Sequence, residues 1–277
     1  MHETRPSVAD KRRAFRRLHE HGCFAIPNPW DVGSALYLQS LGFQALATTS
    51  SGCAWAHGRP DGGMSREAVL AHLAEMVEAT DLPVNADFES GFAHDAAGVA
   101  ESVTLAVRTG VAGLSIEDST GETAKPLYDL DVAVQRIRAA RRAIDAAGGD
   151  ALLVGRAECF LVGRTAIEET LERLKAYAQA GADCLYAPGV ARPEHIRAIV
   201  AAVAPKPVNL LAGSAGALSI REIAALGVRR VSVGGALARA AWGALMRAAT
   251  PLAEHGSFDG FAGAADGEGL DAFFGGR

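Results

Sequence analysis

Three short apolar runs in this chain close on acidic residues: Asn85-Ala86-Asp87-Phe88-Glu89, Glu117-Asp118 and Arg156-Ala157-Glu158. A fourth acid, Asp61, sits in the turn-rich segment Gly58-Arg59-Pro60-Asp61-Gly62-Gly63. Carboxylates crowded at one rim repel each other and raise one another's pKa unless a cation sits among them. An all-oxygen set with no His or Cys nearby suits Mg²⁺ or Mn²⁺ better than Zn²⁺, and Mg²⁺ takes one or two carboxylates plus water and substrate oxygens. Arg156 adds a planar fork matched to a carboxylate ligand. Taken singly, each acid reads as a helix N-cap or a salt-bridge partner; the set is what points to a metal.

For these groups to meet, the runs must be neighbouring strands that end on one side of the molecule. Apolar runs near 23–27, 44–49, 83–87, 113–117, 152–156, 183–187, 207–211 and 229–233 alternate with helical patterns near 31–41, 65–80, 95–109, 129–147, 164–180, 193–203, 218–226 and 235–249. Parallel strands joined by crossover helices give that alternation, and eight of each predicts an α/β fold of the (β/α)8 TIM barrel type. In such a barrel, catalytic groups sit at the C-terminal strand ends. Gly42, Gly110, Gly181 and Gly227 each fall where a helix hands over to a strand, as a left-handed cap requires. With no Pro, Ser or Gly-rich linker, residues 1–255 are expected to form one domain that includes an extra N-terminal helix at 7–21. Residues 256–277, rich in Gly, Ala, Asp and Phe, read as a tail that packs on a partner subunit or frays.

The order Asn28-Pro29-Trp30-Asp31, Thr49-Ser50-Ser51-Gly52, Asp61, Asn85-Ala86-Asp87, Ile116-Glu117-Asp118 and Arg156-Ala157-Glu158 resembles the isocitrate lyase and phosphoenolpyruvate mutase superfamily, in register from about residue 20 to 250. The resemblance implies a barrel, often tetrameric with the last helix exchanged between subunits, that uses Mg²⁺ to hold a 2-oxo or 2-hydroxy carboxylate. It implies that Asp87 ligates the metal directly, that Asp61 and Glu117 hold it through water, and that Ser51, Gly52 and Arg156 bind the substrate carboxylate. Glu89 and Asn85 complete the candidate metal set. Cys53 (through its backbone amide, in a donor-rich turn after the second strand), Trp30 and Asn209 complete the substrate-binding one. Metal chelation of a 2-oxo acid would stabilise the enolate formed when a bond at C3 breaks.

Departures from the family pattern bear on the reaction. Asn85 stands where many relatives have a second Asp. The segment Ser119-Thr120-Gly121-Glu122-Thr123-Ala124-Lys125-Pro126 has neither the Cys nor the His of the lyase loop motif, and it is too short for the lid of the mutase branch. Isocitrate lyase and phosphoenolpyruvate mutase proper are both disfavoured. Candidates for an acid or base are then His57, Glu89, Glu158 and Tyr186, with His57 nearest the Asp61 loop in sequence. Asp61, Asp87, Glu117, Arg156 and His57 make up the candidate catalytic set. Cys53 and Cys159 read as small buried side chains, and Trp30 and Trp55 either wall the pocket or pack in the core.

Composition narrows the remaining classes. The chain has 277 residues, 49% hydrophobic and 21% charged, with a net charge of −5, so disorder and a polyanion partner are both disfavoured. The basic run Lys11, Arg12, Arg13, Arg16, Arg17 reads as the solvated face of the N-terminal helix rather than a nucleic-acid patch. Four scattered cysteines without CxxC spacing argue against a disulfide framework and a zinc site. No apolar h-region opens the chain, and its longest uncharged stretch, 207–220, is too short to span a bilayer, so neither export nor membrane attachment is expected and a cytoplasmic location is.

The expected protein is a cytoplasmic homo-oligomer, a dimer or tetramer, that uses Mg²⁺ or Mn²⁺ to act on a small 2-oxo or 2-hydroxy carboxylate, by carbon–carbon bond cleavage. Three alternatives stand beside it. One is a phosphonate P–C bond enzyme or an oxaloacetate-type hydrolase of the same superfamily. Another is a phosphate-binding barrel that uses the Gly-rich turns at 211–216 and 233–236. The third is a barrel that binds a 2-oxo acid without turnover.

Overall fold

The computed structural model describes residues 5–276. Eight strands form one parallel sheet: β1 (Phe24–Ile26), β2 (Leu46–Ala47), β3 (Val84–Asp87), β4 (Gly113–Glu117), β5 (Leu152–Arg156), β6 (Cys184–Tyr186), β7 (Val208–Leu211) and β8 (Arg230–Ser232). Their order is β1-β8-β7-β6-β5-β4-β3-β2. At the seam between β1 and β2 the Ala47 amide donates to Pro27 O at 3.0 Å, and Asn28 Nδ2 donates to Thr48 O at 2.9 Å. The sheet thus nearly closes into the expected (β/α)8 barrel. Every strand lies inside the window read from the sequence.

Eleven helices are present among the described residues: α1 (Val8–Leu18), α2 (Val32–Ser40), α3 (Ser50–Ala56), α4 (Arg66–Ala79), α5 (Ala96–Arg108), α6 (Leu130–Ala146), α7 (Ile167–Gln179), α8 (Pro193–Val203), α9 (Ile220–Ala225), α10 (Ala236–His255) and α11 (Gly267–Gly275). None is long and apolar enough to cross a membrane. The four helix-end glycines all adopt positive φ; at Gly181 (φ +109°) an added Cβ would also lie 2.6 Å from Arg141 Cγ. One helix departs from expectation. Where a turn was read after the second strand, Thr49 caps α3, its hydroxyl accepting from the Gly52 amide at 3.4 Å. The run Ser50-Ser51-Gly52-Cys53-Ala54 is short and small-sided, without the apolar stripe that marks a longer helix.

The strands' period of two separates the packing core from the chemistry, because alternate side chains point to opposite faces. Val84, Ala86, Leu114, Ile116, Leu153, Leu185, Leu210 and Val231 join one core cluster with apolar side chains of the helices, among them Val103 and Ala106 of α5 and Ile137 and Ala140 of α6. The intervening residues, including Asn85, Asp87, Ser115, Glu117, Arg156, Tyr186, Asn209, Arg230 and Ser232, belong to the other face, toward the barrel axis. Burying the first set removes apolar surface from water at roughly 25 cal/mol per Å². The second set carries the polarity.

Helix α1 packs at the N-terminal end of this unit. A Ser7–Asp10 capping box starts it, and Phe15, with 0% exposure, clusters with Phe24, Ile26, Ala45, Ala47, Ala112 and Leu152. The expectation of a solvated basic face needs correction at two positions. Lys11 is buried and its Nζ donates to Val77 O at 2.9 Å and to Thr80 O at 2.5 Å, while Arg12 donates to Val107 O at 2.8 Å and Val111 O at 3.0 Å. Both bind carbonyls at or just beyond the C-terminal ends of α4 and α5. Arg13, Arg16 and Arg17 are exposed.

The described chain divides into two compact units, the first ending at Ala236 and the second beginning at Leu237. The second holds most of α10, a 3-10 turn at Asp259–Phe261 and α11. Within it, Gly260 lies so close to α10 that a Cβ there would come 2.7 Å from Ala248 Cα.

Candidate active site

The inward carboxylates at the ends of β3, β4 and β5 converge on one guanidinium. Arg156 Nη1 lies 3.2 Å from Asp87 Oδ1 and 3.1 Å from Glu117 Oε2. Its Nε and Nη2 bind Glu158 in a fork, at 2.5 and 3.2 Å. The four side chains are 7–17% exposed. Parallel pairing sets this geometry, since Glu117 and Arg156 are register partners and Asp87 pairs with Ser115 one inward position lower on β4. Asp87 is held further by its own surroundings: Oδ2 accepts from the Ser50 amide at 3.0 Å, and its amide donates to Thr48 Oγ1 at 2.9 Å. Helix α3 therefore presents its first amide to this carboxylate, where the helix dipole favours negative charge.

Two cavities adjoin the cluster. The larger, about 540 Å³, is lined by Asp61, Glu89, Glu117, Arg156 and Glu158 together with Ser119, Thr120 and Gly121. The smaller, about 140 Å³, shares Ser50, Asp61 and Arg156 and adds Asp87, Ser51, Asn85, Asn209 and Arg230. The loop after β4 that forms part of the first wall is a small hairpin, with an isolated bridge between Ser119 and Leu127.

Burial and like charge raise the pKa of three acids in the cluster. Burial, then Asp87 and Asp61, push the Glu89 carboxyl up to about 7. Burial raises Glu117 well above the carboxylate range despite Arg156, and Glu158, Asp87 and Glu89 add to the rise. Glu158 is raised by burial too. On Arg156, burial opposes the charge but Glu117, Glu158 and Asp87 more than offset it, so the guanidinium stays ionised. Glu89 also carries a left-handed backbone, φ +49°, as does Phe92 at +55°. Non-glycine residues rarely hold that conformation, and it clusters at functional sites. Among the described residues, no three His, Cys, Asp or Glu side chains stand as a ready-made metal cage.

A phosphoenolpyruvate phosphomutase family model matches residues 15–253. The chain belongs to this family. A Burkholderia cenocepacia structure named only as a lyase or mutase is 47% identical, with 97% of each chain covered and a TM-score of 0.94. The structure of 2,3-dimethylmalate lyase, a phosphoenolpyruvate mutase/isocitrate lyase superfamily member, is 28% identical over 98% of this chain and 95% of that one, with a TM-score of 0.84. An oxaloacetate decarboxylase of Paraburkholderia xenovorans is 32% identical over 76% of this chain and 71% of its own. The chain is accordingly a lyase-like enzyme of that superfamily.

The phosphomutase-family barrel gathers most of the residues singled out in the sequence. Asp61, Asp87, Glu89, Glu117, Arg156, Ser51, Asn85 and Asn209 all line the two cavities. Others do not. His57 is exposed and closes α3, its Nδ1 lying 2.9 Å from Cys53 O, and it lines neither cavity. The Gly52 amide serves the α3 cap, and the Cys53 amide donates to Thr49 O at 3.0 Å. Burial pushes the Cys53 and Cys159 thiols up to about 11, so neither is a ready thiolate. Trp30 is half-buried and outside both cavities.

The Gly-rich turns after β7 and β8 offer little to a phosphate. The Val233 and Gly234 amides both donate to Asn28 Oδ1 at 2.9 Å. The cavity of about 310 Å³ beside residues 214–218 is walled by Ile196, Leu210, Leu218 and Ile223, with no basic side chain among its lining.

Two groups were given no role in the sequence reading. Asp118, 2% exposed, accepts from the Glu158 amide at 2.8 Å, from Tyr177 Oη at 2.5 Å and from Arg173 at 3.2 Å, and so fixes the turn that carries Glu158. Arg230 lines the smaller cavity from β8. Its signal was present: in Arg230-Val231-Ser232, positions two apart share a face, so Arg230 must point where Ser232 points.

Proposed function

We propose that this chain is a Mg²⁺-dependent lyase that breaks a carbon–carbon bond in a small 2-oxo or 2-hydroxy carboxylate. The observation that carries the reading is the convergence of Asp87, Glu117 and Glu158 on Arg156, with Asp61 and Glu89 along the same cavity wall. Three carboxylates share one guanidinium there and two more stand close by, and the raised pKa of Glu89 and Glu117 marks a place short of positive charge. The donors are all hard oxygens, which fits Mg²⁺ or Mn²⁺. Because Mg²⁺ takes only one or two carboxylates beside water and substrate, it needs no preformed cage of three.

Asp87 would hold the ion directly, with Asp61, Glu117 and Glu89 around it and Asn85 below. When bound, the ion supplies Lewis-acid polarisation of the substrate's 2-oxo or 2-hydroxy oxygen. The protein's own groups do the rest. Arg156 orients the adjoining carboxylate, and Ser51 Oγ adds a hydrogen bond at the start of α3. The relatives named oxaloacetate decarboxylase and 2,3-dimethylmalate lyase support cleavage of a carbon–carbon bond in a dicarboxylate.

We also read the protein as a cytoplasmic homo-oligomer, a dimer or tetramer. The support is apolar surface on α10, where Trp242, Leu245 and Met246 are 39%, 54% and 61% exposed.

Calorimetric titration of the EDTA-stripped protein with oxaloacetate, 2-oxoglutarate, 2-methylisocitrate and phosphonopyruvate, with and without Mg²⁺, tests the site. Saturable heat that needs Mg²⁺ is expected for at least one 2-oxo acid. Equal binding without metal would remove the role assigned to Asp87.

A further inference from the structure

Below the carboxylate cluster the barrel interior holds a second arginine in a very different setting. Arg230 is 3% exposed, and its hydrogen-bond partners are neutral: Nε donates to Asn209 Oδ1 at 2.8 Å and Nη1 to Asn85 Oδ1 at 3.3 Å. Among the described residues it forms no ion pair, whereas Arg156 forms three. A buried guanidinium stays protonated and is costly without a counter-charge. The neighbours are arranged for it: Asn209 Nδ2 donates to Ser232 Oγ at 2.9 Å and Asn85 Nδ2 to Ala86 O at 3.1 Å, which leaves both amide oxygens for Arg230. An acid at position 85 would have neutralised this charge; Asn85 does not.

The same cavity of about 140 Å³ is lined by Arg230 and by Asp87 and Arg156. Asn85 and Asp87 are inward neighbours on β3, a step of roughly 7 Å along the strand. The chamber is therefore polarised, with acidic groups suited to a cation at its mouth and an unneutralised cation at its floor.

We propose that Arg230, with Asn209 and Ser232, forms a subsite for the second carboxylate of the substrate, so that the enzyme selects short dicarboxylates over monocarboxylates. This rests on the 2-oxo or 2-hydroxy acid reading of the site above it. The bound anion would supply the counter-charge that the protein withholds, and two guanidinium donors would give a charge-assisted contact.

Malate and lactate separate the two ideas, since they share a 2-hydroxy acid head and only malate has a second carboxylate. With Mg²⁺ present, calorimetry on the wild-type chain is expected to show malate binding at least tenfold more tightly than lactate. Arg230→Gln should abolish that advantage while lactate affinity stays within twofold, and Arg230→Lys should restore part of it. Should Arg230→Gln fail to fold, Asn85→Asp provides the second variant: a carboxylate beside Arg230 is expected to remove the preference for malate. Lactate binding as tightly as malate to the wild-type chain overturns the subsite and leaves the 2-hydroxy acid reading standing. An unchanged malate advantage in Arg230→Gln or in Asn85→Asp also overturns it. If neither acid binds, the 2-hydroxy acid reading falls and the subsite falls with it.

Discussion

Arg156 Nη1 stands 3.2 Å from Asp87 Oδ1 across the intervening strand β4, so a single guanidinium ties the ends of three strands together. Glu117 and Glu158 complete its surroundings. Removing one partner of a buried charge pair leaves the other uncompensated, at a cost of about 3–5 kcal/mol. Arg156→Gln is expected to lower the unfolding free energy by that order and to weaken carboxylate binding as well. Urea denaturation measures the first effect, and a loss below about 1 kcal/mol would mean the three carboxylates do not depend on Arg156.

Asp87→Asn keeps the side chain's size and an oxygen for the Ser50 amide, but removes the charge proposed to hold the metal. Turnover should fall roughly 10²–10³-fold, in the range seen when one electrostatic stabiliser is lost. The melting temperature should stay close to wild type. An Asp87→Asn enzyme with full activity would show that the ion, if used, is held elsewhere.

His57→Ala should leave kcat/KM within about twofold, because the ring is exposed, caps α3 and lines neither cavity. A drop of two orders of magnitude in steady-state assays would return His57 to the reaction.

His19 sets a pH dependence of stability. It is 8% exposed with Nδ1 near Phe15 O, and burial, then the charge of Arg230, pull its pKa from 6.5 to about 3. The unfolded chain thus binds a proton below pH 6.5 that the folded chain refuses until about pH 3, so stability falls as pH drops through this window. His19→Asn is expected to flatten the slope of melting temperature between pH 6.5 and 4. A slope identical to wild type in scanning calorimetry would place the acid sensitivity on other groups.

Tyr177→Phe removes the 2.5 Å hydrogen bond to Asp118, whose other oxygen holds the Glu158 amide. A loss of about 1–3 kcal/mol is expected from leaving a buried acceptor short of a donor, together with a modest fall in activity as Glu158 loosens. Chemical denaturation and a KM-against-kcat comparison of the variant check both parts.

The barrel was legible because its signals repeat: each strand is short and apolar on alternate positions, and each of four helices ends on a glycine that the structure holds at positive φ. The acidic strand ends were legible for the same reason, since strand boundaries also fix which residues reach the rim. What the sequence hid depends on contacts distant in the chain. His57 is only four residues from Asp61, yet α3 turns it away from the cavity. Lys11 and Arg12 look like surface charge until the ends of α4 and α5 are known to lie beneath them. Arg230 sits in a strand whose neighbours suggest ordinary packing, and its lack of a carboxylate partner among the described residues is visible only once β3, β7 and β8 share an interior.

The most direct test of the central claim follows oxaloacetate by NMR with the metal-stripped enzyme, before and after Mg²⁺ is added, against an enzyme-free control with the same metal. Enzyme-dependent cleavage that appears only with Mg²⁺, giving pyruvate with carbon dioxide or oxalate with acetate, is the expected result. Cleavage at the same rate in the presence of excess EDTA would contradict the account.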